Sequence, residues 1–186
     1  QKYKKLLFSL CWFHSVLLER RKFKALGWNI PYDFNNSDFI ICENILALYL
    51  DEYPETTPWK AIRYLIAQAN YGGRITDDWD RRLCNCYVAQ YFCDDVLSVP
   101  NYPVSELPDY FVPEDGELDS YRDYIRSLSM NDHPAAFGQH PNADIQSQIE
   151  DTRNLLDTVI SLQPRVVTEG GESNDDVVLR IATDLS

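Results

Sequence analysis

The stretch NYGGRITDDWDRR, from Asn70 to Arg82, carries the densest polar chemistry in the chain and decides how the surrounding helices connect. Three aspartates and three arginines surround a single tryptophan, and two adjacent glycines precede a threonine. We interpret the stretch as a joint between two helices. Gly72 and Gly73 are expected to take the left-handed conformations that end the first helix, and Thr76 to cap the second.

The other residues of this joint are also assigned structural roles. Asp77 and Asp78 lie where the helix dipole favours negative charge, and Trp79 is expected to anchor the corner in the core. Arg81 and Arg82 are placed to bond carbonyl ends or the carboxylates of a neighbour. The predicted site is therefore a structural joint, made of Gly72, Gly73, Thr76, Asp77, Asp78, Trp79, Arg81 and Arg82.

Phosphate binding and acid–base catalysis fit the same stretch less well. A phosphate loop needs the pattern GxxxxGK[ST], which the chain lacks, and here Gly73 is followed by Arg74. Asp77, Asp78 and Asp80 cannot all point into one cleft, because successive side chains on a helix lie about 100° apart. We therefore predict no catalytic residue in this chain.

Metal coordination is the next alternative. Cys84 and Cys86 form a CxC pair, but on a helix they lie about 200° apart and cannot chelate one zinc ion. His133 and His140 flank a proline- and glycine-containing loop, where histidines more often serve as polar caps. His14 falls on an apolar helical face, which favours a hydrogen-bonded core histidine. We expect no metal and no cofactor in this segment.

The composition excludes further classes of protein. With 186 residues and 45% hydrophobic content, the chain is long enough for one globular domain with a real core. A net charge of −12 argues against nucleic acid as a partner, because phosphate binding needs a basic surface. The five cysteines are odd in number and sit among apolar residues, which predicts reduced, buried thiols of a cytosolic protein.

Hydrophobic periodicity predicts an all-α fold, a compact lid-type bundle of about six helices with no strand. The helices are expected at about 2–21, 36–51, 58–71, 76–91, 119–129 and 143–163. Asn36, Ser37 or Asp38 is expected to cap the second helix. Four prolines between Ser98 and Glu117 forbid a long helix there and predict an extended wrapping loop.

The domain organisation follows from the same periodicity. Residues 1–164 are expected to form the helical domain, residues 165–176 a linker, and residues 177–186 the truncated start of a further region. No apolar run is long enough to span a membrane. Because the chain starts at Gln1 and its last apolar pattern is cut short, we expect it to be a segment of a longer protein.

Three stretches together resemble the dynein heavy chain. They are RRKFKALGWNIPYDFNNSDF at 20–39, NYGGRITDDWDRR at 70–82 and AFGQHPNADI at 136–145. In this order and spacing they are similar to the helical lid region that follows the sixth AAA+ module and precedes the C-terminal domain of the motor. The resemblance covers about residues 6–163. Ala135 departs from the family, which usually has an acidic residue there, so a surface ion pair is not expected.

The amino-acid sequences of two further stretches indicate a subtype of heavy chain. FHSVLLERRKF with GWNIPYDF is similar to ciliary, or axonemal, heavy chains more than to cytoplasmic ones, and YFCDDVLS is similar to an inner-arm type. The resemblance therefore implies a place in the axoneme of a cilium or flagellum, within the cytoplasm and cytoskeleton.

The resemblance also implies the activity of the parent protein. Such a heavy chain is an ATP-driven, minus-end-directed microtubule motor, in which ATP and magnesium are bound by earlier modules of a six-module ring. The lid itself is no enzyme; it closes the ring and transmits rigid-body motion. Its implied partners are neighbouring AAA+ modules and the C-terminal domain of the same heavy chain, with the microtubule and other dynein subunits reached through the complex, and no nucleic acid or membrane.

Two other functions remain open at this point. An acidic all-helical adaptor would have a self-contained surface and a groove for a partner protein. A hydrolase would have a pocket with paired carboxylates of perturbed pKa. The apolar face of the first helix and the truncated last element favour the lid.

Overall fold

The structure, a computed structural model, describes residues 2–130 and 133–162. Eight α-helices carry most of these residues: α1 (Lys2–Arg20), α2 (Asn36–Glu52), α3 (Trp59–Tyr64), α4 (Tyr71–Arg74), α5 (Asp78–Tyr91), α6 (Asp94–Ser98), α7 (Leu118–Ser127) and α8 (Asn142–Ser161). Short 3₁₀ helices occupy Arg21–Leu26 and Pro134–Phe137, and a π-helical turn occupies Leu65–Asn70. The predicted helical fold class is confirmed.

Two strands interrupt the predicted wrapping loop, where no strand was expected. They are β1 (Tyr102–Pro103) and β2 (Phe111–Val112), and they pair antiparallel. Next to the ladder, the backbone N–H of Val104 donates to the carbonyl of Tyr110 at 3.0 Å. The rest of the stretch up to α7 is loop, as the prolines predict.

The chain divides into two compact units, residues 1–147 and 148–186. The first unit contains everything from α1 to the opening turns of α8. In the second unit the described residues belong to the rest of α8 and to Leu162. The predicted linker at 165–176 and the predicted start of a further region at 177–186 lie outside the described residues.

Helix α1 is the centre of the first unit. Its apolar face is fully buried, with Leu6, Leu10, Phe13 and Leu17 inaccessible to solvent. The ring of Phe13 packs edge-on against Tyr71, with ring centroids 5.2 Å apart. Burying a large apolar side chain contributes about 1.5–3 kcal/mol, so this face supplies much of the stability of the unit.

Helix α2 begins at Asn36, as predicted, but its N-cap lies before the three predicted candidates. Its N-cap is Asn35, not Asn36, Ser37 or Asp38, and the Asn35 side chain accepts a hydrogen bond from the backbone N–H of Ser37 at 2.9 Å. The Asp38 carboxylate completes a capping box by accepting from the Asn35 N–H at 3.0 Å. Several neighbouring residues could cap this helix, and the reciprocal hydrogen bonds of the capping box favour the pair Asn35 and Asp38, which are three residues apart.

The predicted glycine stop at the end of the third helix is wrong. Helical backbone runs from α3 through the π turn into α4, so Gly72 and Gly73 are helical and neither has a positive φ. A Cβ at Gly72 would lie 2.2 Å from the carbonyl oxygen of Ala67, whereas one at Gly73 would meet nothing within 4 Å. Gly72 thus permits a close approach inside the wide π turn instead of ending a helix.

Exposed apolar side chains characterise α8. Between 43% and 64% of the surface of Ile149, Leu155, Leu156, Val159 and Ile160 remains accessible. Within the described part of the chain, no helix is both long and apolar enough to cross a membrane.

Candidate functional site: a buried polar junction

Three charged side chains, those of Arg20, Asp38 and Asp80, are buried among the described residues of the first unit, and Arg20 and Asp80 each bond to three other groups. Arg20, the last residue of α1, is 6% exposed, and Asp80, in the first turn of α5, is 4% exposed. Burying a charge costs free energy unless the charge is hydrogen-bonded. The hydrogen-bond partners of these two side chains therefore identify segments whose contact stabilises the fold. We call Arg20, Asp80 and the groups bonded to them the junction.

The Asp80 carboxylate holds the loop that follows the first 3₁₀ helix. It accepts hydrogen bonds from the backbone N–H of Asn29 at 3.0 Å, from the N–H of Ile30 at 3.3 Å and from the hydroxyl of Tyr32 at 2.8 Å. Bonds to an ionised acceptor are stronger than neutral ones. Asp80 therefore fixes the start of α5 against a loop about 50 residues earlier in the chain.

Asp77 caps the same helix. Its carboxylate accepts from the backbone N–H of Trp79 at 2.9 Å and of Asp80 at 3.0 Å, and also from the side-chain amide of Asn29 at 3.0 Å. The bond from Asn29, followed by the two backbone bonds, lowers the pKa of Asp77. The junction and the helix cap therefore share the loop residue Asn29.

The Arg20 guanidinium joins three further segments. Its Nε donates to the carbonyl of Gly27 at 3.0 Å, and Nη1 donates to the hydroxyl of Tyr87 at 2.8 Å and to the carbonyl of Phe137 at 2.6 Å. The guanidinium carbon also lies 5.7 Å from the ring centroid of Trp28. Burial lowers the pKa of Arg20, and the Tyr87 hydroxyl opposes that shift.

Gly27 allows the chain to close tightly on Arg20. A Cβ at Gly27 would lie 1.7 Å from the carbonyl oxygen of Arg20, so no larger residue fits without moving the backbone. The indole N–H of Trp28 then donates to the carbonyl of Leu17 at 3.2 Å. The loop is thereby folded back onto the end of α1.

A second polar contact lies at the start of α2. Asp38 is 3% exposed, and its carboxylate accepts from Nε of Arg74 at 2.9 Å. The side-chain amide of Asn70 donates to the carbonyl of Asp38 at 2.6 Å. These bonds connect the cap of α2 to both ends of α4.

The junction and this second contact unite the three stretches that distinguish the sequence. Asp80 and Arg74 belong to residues 70–82 and bond to residues 20–39, while Arg20 bonds to Phe137 in residues 136–145. The model of the dynein heavy chain AAA lid domain family matches residues 3–143, which contain all of these contacts. The chain belongs to the dynein heavy chain AAA lid domain family.

The lid is also similar to curated dynein heavy chains over almost its whole length. It is 59% identical to human dynein axonemal heavy chain 2 over 99% of the chain and 4% of that protein. It is 57% identical to the dynein-1-beta heavy chain of the flagellar inner arm I1 complex of Chlamydomonas reinhardtii, again over 99% and 4%. It is 41% identical to rat dynein axonemal heavy chain 12 over 98% and 6%. The chain thus spans only a small part of these relatives.

The N-cap of α5 is not the predicted residue, so Thr76 and Asp77 have roles that differ from those predicted. The N-cap of α5 is Asp77, and Thr76 is an exposed residue just before it. Buried Ile75 holds the chain extended there, so the first helical residue is Asp78. Thr76 and Asp77 both have capping side chains, and the position of the helix start decides between them.

The predicted core role of Trp79 is wrong. Its side chain is 69% exposed and lies under the guanidinium of Arg82, 5.3 Å from the ring centroid. Asp80, one residue later, is buried instead, because its carboxylate accepts hydrogen bonds from the loop that contains Asn29 and Ile30. Arg81 donates to the carbonyl of Ile75 at 2.7 Å, which matches its predicted role.

The main junction residues were missed by sequence reasoning. Arg20 was not singled out, and Asp80 was weighed only as an acid–base group. One signal was available: Arg20 continues the apolar series of α1 by one helical turn beyond Val16 and Leu17. Nothing in the sequence identifies its acceptors, which are 7, 67 and 117 residues away.

The cysteines and histidines give no metal centre among residues 2–130 and 133–162, where no group of three possible ligands is close enough to hold an ion. Cys42 and Cys84 are buried, and burial raises their thiol pKa values to about 12. Cys11 and Cys86 are exposed, contrary to prediction. The core interpretation of His14 is supported by its hydrogen bond to the Tyr71 hydroxyl at 2.8 Å.

Proposed function

We propose that residues 1–164 are the lid of the sixth AAA+ module of an axonemal dynein heavy chain and that the lid acts mechanically. In this role it is a stiff helical block that holds larger parts of the motor ring at a fixed angle. The observation that carries the proposal is the junction, in which buried charges tie three distant segments of one family signature into one unit.

The stiffness has a physical basis in the buried charges. If the loop moved away from α5, Asp80 would be left without its three donors, and if 136–145 moved, Arg20 would lose an acceptor. A buried charge without partners costs several kcal/mol. Bending at the junction is therefore opposed by a steep energy cost, which favours rigid-body motion of the whole block.

The predicted joint within residues 70–82, which leads into α5, is part of this block. Of its eight predicted residues, Asp77 and Arg81 make the inter-element bonds, and Asp80 and Arg20 are added to them. We assign the joint a structural role, without catalysis and without a ligand.

ATP hydrolysis is assigned to other parts of the heavy chain. The relatives are whole heavy chains, of which the matched region is 4–6%, so most of the parent protein lies elsewhere. We propose that ATP and magnesium bind there, and that the parent is a minus-end-directed microtubule motor of the ciliary or flagellar axoneme. The Chlamydomonas relative, named for an inner arm complex, supports an inner-arm type.

The proposed partners are the neighbouring AAA+ modules and the C-terminal domain of the same heavy chain. The exposed apolar stripe of α8 supports this, because such a stripe is ordinarily covered by another structural element. Microtubules and other dynein subunits would be reached through the complete motor. The family match disfavours an independent acidic adaptor.

The test is Asp80→Ala in the complete heavy chain, with Asp78→Ala as the matched control. Both remove a carboxylate from the first turn of α5, but Asp78 is exposed and Asp80 buried. Gliding speed and basal ATPase are measured together. We expect Asp80→Ala to lower gliding speed more than basal ATPase, and Asp78→Ala to change neither much, because the junction transmits motion and does not bind ATP.

Loss of basal ATPase and of ATP binding in a folded Asp80→Ala heavy chain would contradict the mechanical role. Equal effects of the two variants on gliding would also contradict it. The loss of a negative charge at the start of α5 would then explain the change in gliding speed, without any role of the junction.

A further inference from the structure

Exposed side chains of α8 follow the seven-residue repeat of a two-stranded coiled coil. Ile149, Thr152, Leu156 and Val159 are separated by three, four and three residues, which is the spacing that aligns a and d positions in one seam along a helix. All four side chains are exposed, with 56% of Leu156 and 50% of Val159 accessible. A seam of this kind is characteristic of a helix that packs along a second helix.

The charged residues of α8 lie beside this seam. In the same repeat, Glu150, Asp151 and Asp157 fall at b and c positions, and Arg153 falls at a flanking e position. The four seam positions themselves carry no charge. The element that covers them is therefore expected to be apolar, and a charged peptide is not favoured.

A matching repeat occurs later in the chain, outside the residues that the structure describes. Val178, Ile181 and Leu185 are separated by three and four residues, so they too align as successive a and d positions. This repeat and the seam of α8 both fall within the second compact unit, residues 148–186. One unit therefore contains an exposed seam and a second apolar repeat of the same period.

The residues before the second repeat favour the start of a helix. Asn174 has a capping side chain, and Asp175 and Asp176 would place negative charge in the first turn, where the helix dipole favours it. The second repeat is therefore expected to be helical, as a coiled-coil partner of α8 must be.

The length of the connection sets the direction in which the two repeats meet. Residues 162–173 are twelve residues, which can extend to roughly 40 Å. The axes of packed helices lie about 8–10 Å apart, so the connection can turn back at the end of α8 with length to spare. A parallel pair would also require the connection to return along the whole seam, which makes the antiparallel arrangement the simpler one.

An antiparallel pair brings a positions opposite d positions, and one register satisfies every layer. The opposed pairs are Val159 with Val178, Leu156 with Ile181, and Thr152 with Leu185. The two layers nearest the connection are wholly aliphatic, so this register buries the apolar side chains of both repeats against each other.

We propose that residues 177–186 pack as a helix, antiparallel, on the seam of α8. The inference deepens the proposed function and rests on it, because residues 177–186 are taken as the start of the region that follows the lid. It identifies the seam of α8 as the surface of the lid that holds this region. Motion of the lid then passes on through a packed pair of helices, in addition to the twelve-residue connection.

Photo-cross-linking in the complete heavy chain tests the pairing. A benzophenone amino acid replaces Val159 in one variant and Thr152 in another, and mass spectrometry identifies the linked tryptic peptides. Trypsin cleaves after Arg165 and Arg180, so the two ends of the second repeat fall in different peptides. We expect the Val159 probe to link to residues 166–180, and the Thr152 probe to link to the peptide that begins at Ile181.

Asn154 is the matched control position. It is exposed and lies two residues from both Thr152 and Leu156, which is about 200° around the helix. A probe there faces away from the seam and should capture neither peptide. Equal capture from Asn154 and Val159 would mean that closeness along the chain, and not packing on the seam, brings the segments together.

A charge exchange tests the layer formed by Leu156 and Ile181. Leu156→Lys and Ile181→Glu each place one charge in an apolar layer, so each should lower the capture yield of the Val159 probe about tenfold. The double variant opposes an ammonium and a carboxylate across the layer and should restore the yield severalfold relative to either single variant. Asn154→Lys adds the same charge off the seam and should leave the yield unchanged. A double variant that captures no better than the single variants would contradict the register.

Four further results would overturn the proposal: capture of a segment outside residues 166–186 and the peptide that begins at Ile181, capture of another protein, exchange of the two peptides between the Val159 and Thr152 probes, or no link at all. Failure of the proposed mechanical role is distinguishable from these results. An Asp80→Ala heavy chain that fails the gliding assay as described above leaves the cross-links in place, whereas missing cross-links leave the gliding assay unaffected.

Discussion

Replacing Arg20 by methionine removes the cation of the junction while keeping an unbranched side chain of similar length. The change leaves the carbonyl of Gly27 and the hydroxyl of Tyr87 without the donor that Arg20 supplies, whereas the carbonyl of Phe137 keeps its hydrogen bond from the Tyr87 hydroxyl. Hydrogen bonds to a charged group contribute about 1.5–3 kcal/mol each, but they are not additive, and methionine also avoids burying a charge. We expect a net loss of about 2–4 kcal/mol in the free energy of unfolding.

The measurement is urea denaturation of the chain at neutral pH, followed by circular dichroism and tryptophan fluorescence. For a domain of this size, a loss of 2–4 kcal/mol corresponds to a fall in melting temperature of roughly 4–16 °C. Fluorescence is informative because Trp28 lies against the guanidinium of Arg20.

Arg21→Met is the matched control, since it makes the same substitution at the next residue. Arg21 is exposed, with a carboxylate only at 3.8 Å and a carbonyl at 3.4 Å, so its loss should cost less than about 0.5 kcal/mol. Arg20→Lys should fall between the two, because lysine keeps the charge but cannot form the planar fork of bonds. Equal losses for the two methionine variants would refute the assignment of Arg20 as the centre of the junction.

Three further variants test the local geometry. Gly72→Ala should cost about 1–3 kcal/mol, because its Cβ would meet the Ala67 carbonyl, whereas Gly73→Ala should be neutral or slightly stabilising; comparable losses in urea denaturation would argue against the close approach. Asp77→Ala should destabilise by about 1 kcal/mol and Thr76→Ala by much less, and the reverse order would restore the threonine cap. Burial lowers the pKa of His14, so the stabilising contribution of its neutral form is complete above the unfolded pKa of about 6.5 and is lost as the pH falls through the lower folded pKa. The free energy of unfolding, measured from pH 7 to 5, should therefore depend less on pH in His14→Gln than in the unchanged chain. An unchanged slope would count against this.

The choice of capping residue shows where local sequence rules stop. Thr76 and Asp77 are both good N-caps, and so are Asn35 and Ser37. Sequence places each cap within one or two residues, but the first helical residue depends on how the preceding chain packs. For α5, that packing is the burial of Ile75, which no local pattern reveals.

The amino-acid sequence by itself determined the helical class, the core face of α1 and the family, because these depend on the 3.6-residue repeat and on long motifs that are read along the chain. Only the tertiary structure decided which charges are buried. Asp78 and Asp80 are alike in sequence, yet Asp80 alone faces the N–H groups of the loop. The reason is that the energy of a buried charge depends on partners far away in the chain, which become neighbours only after folding.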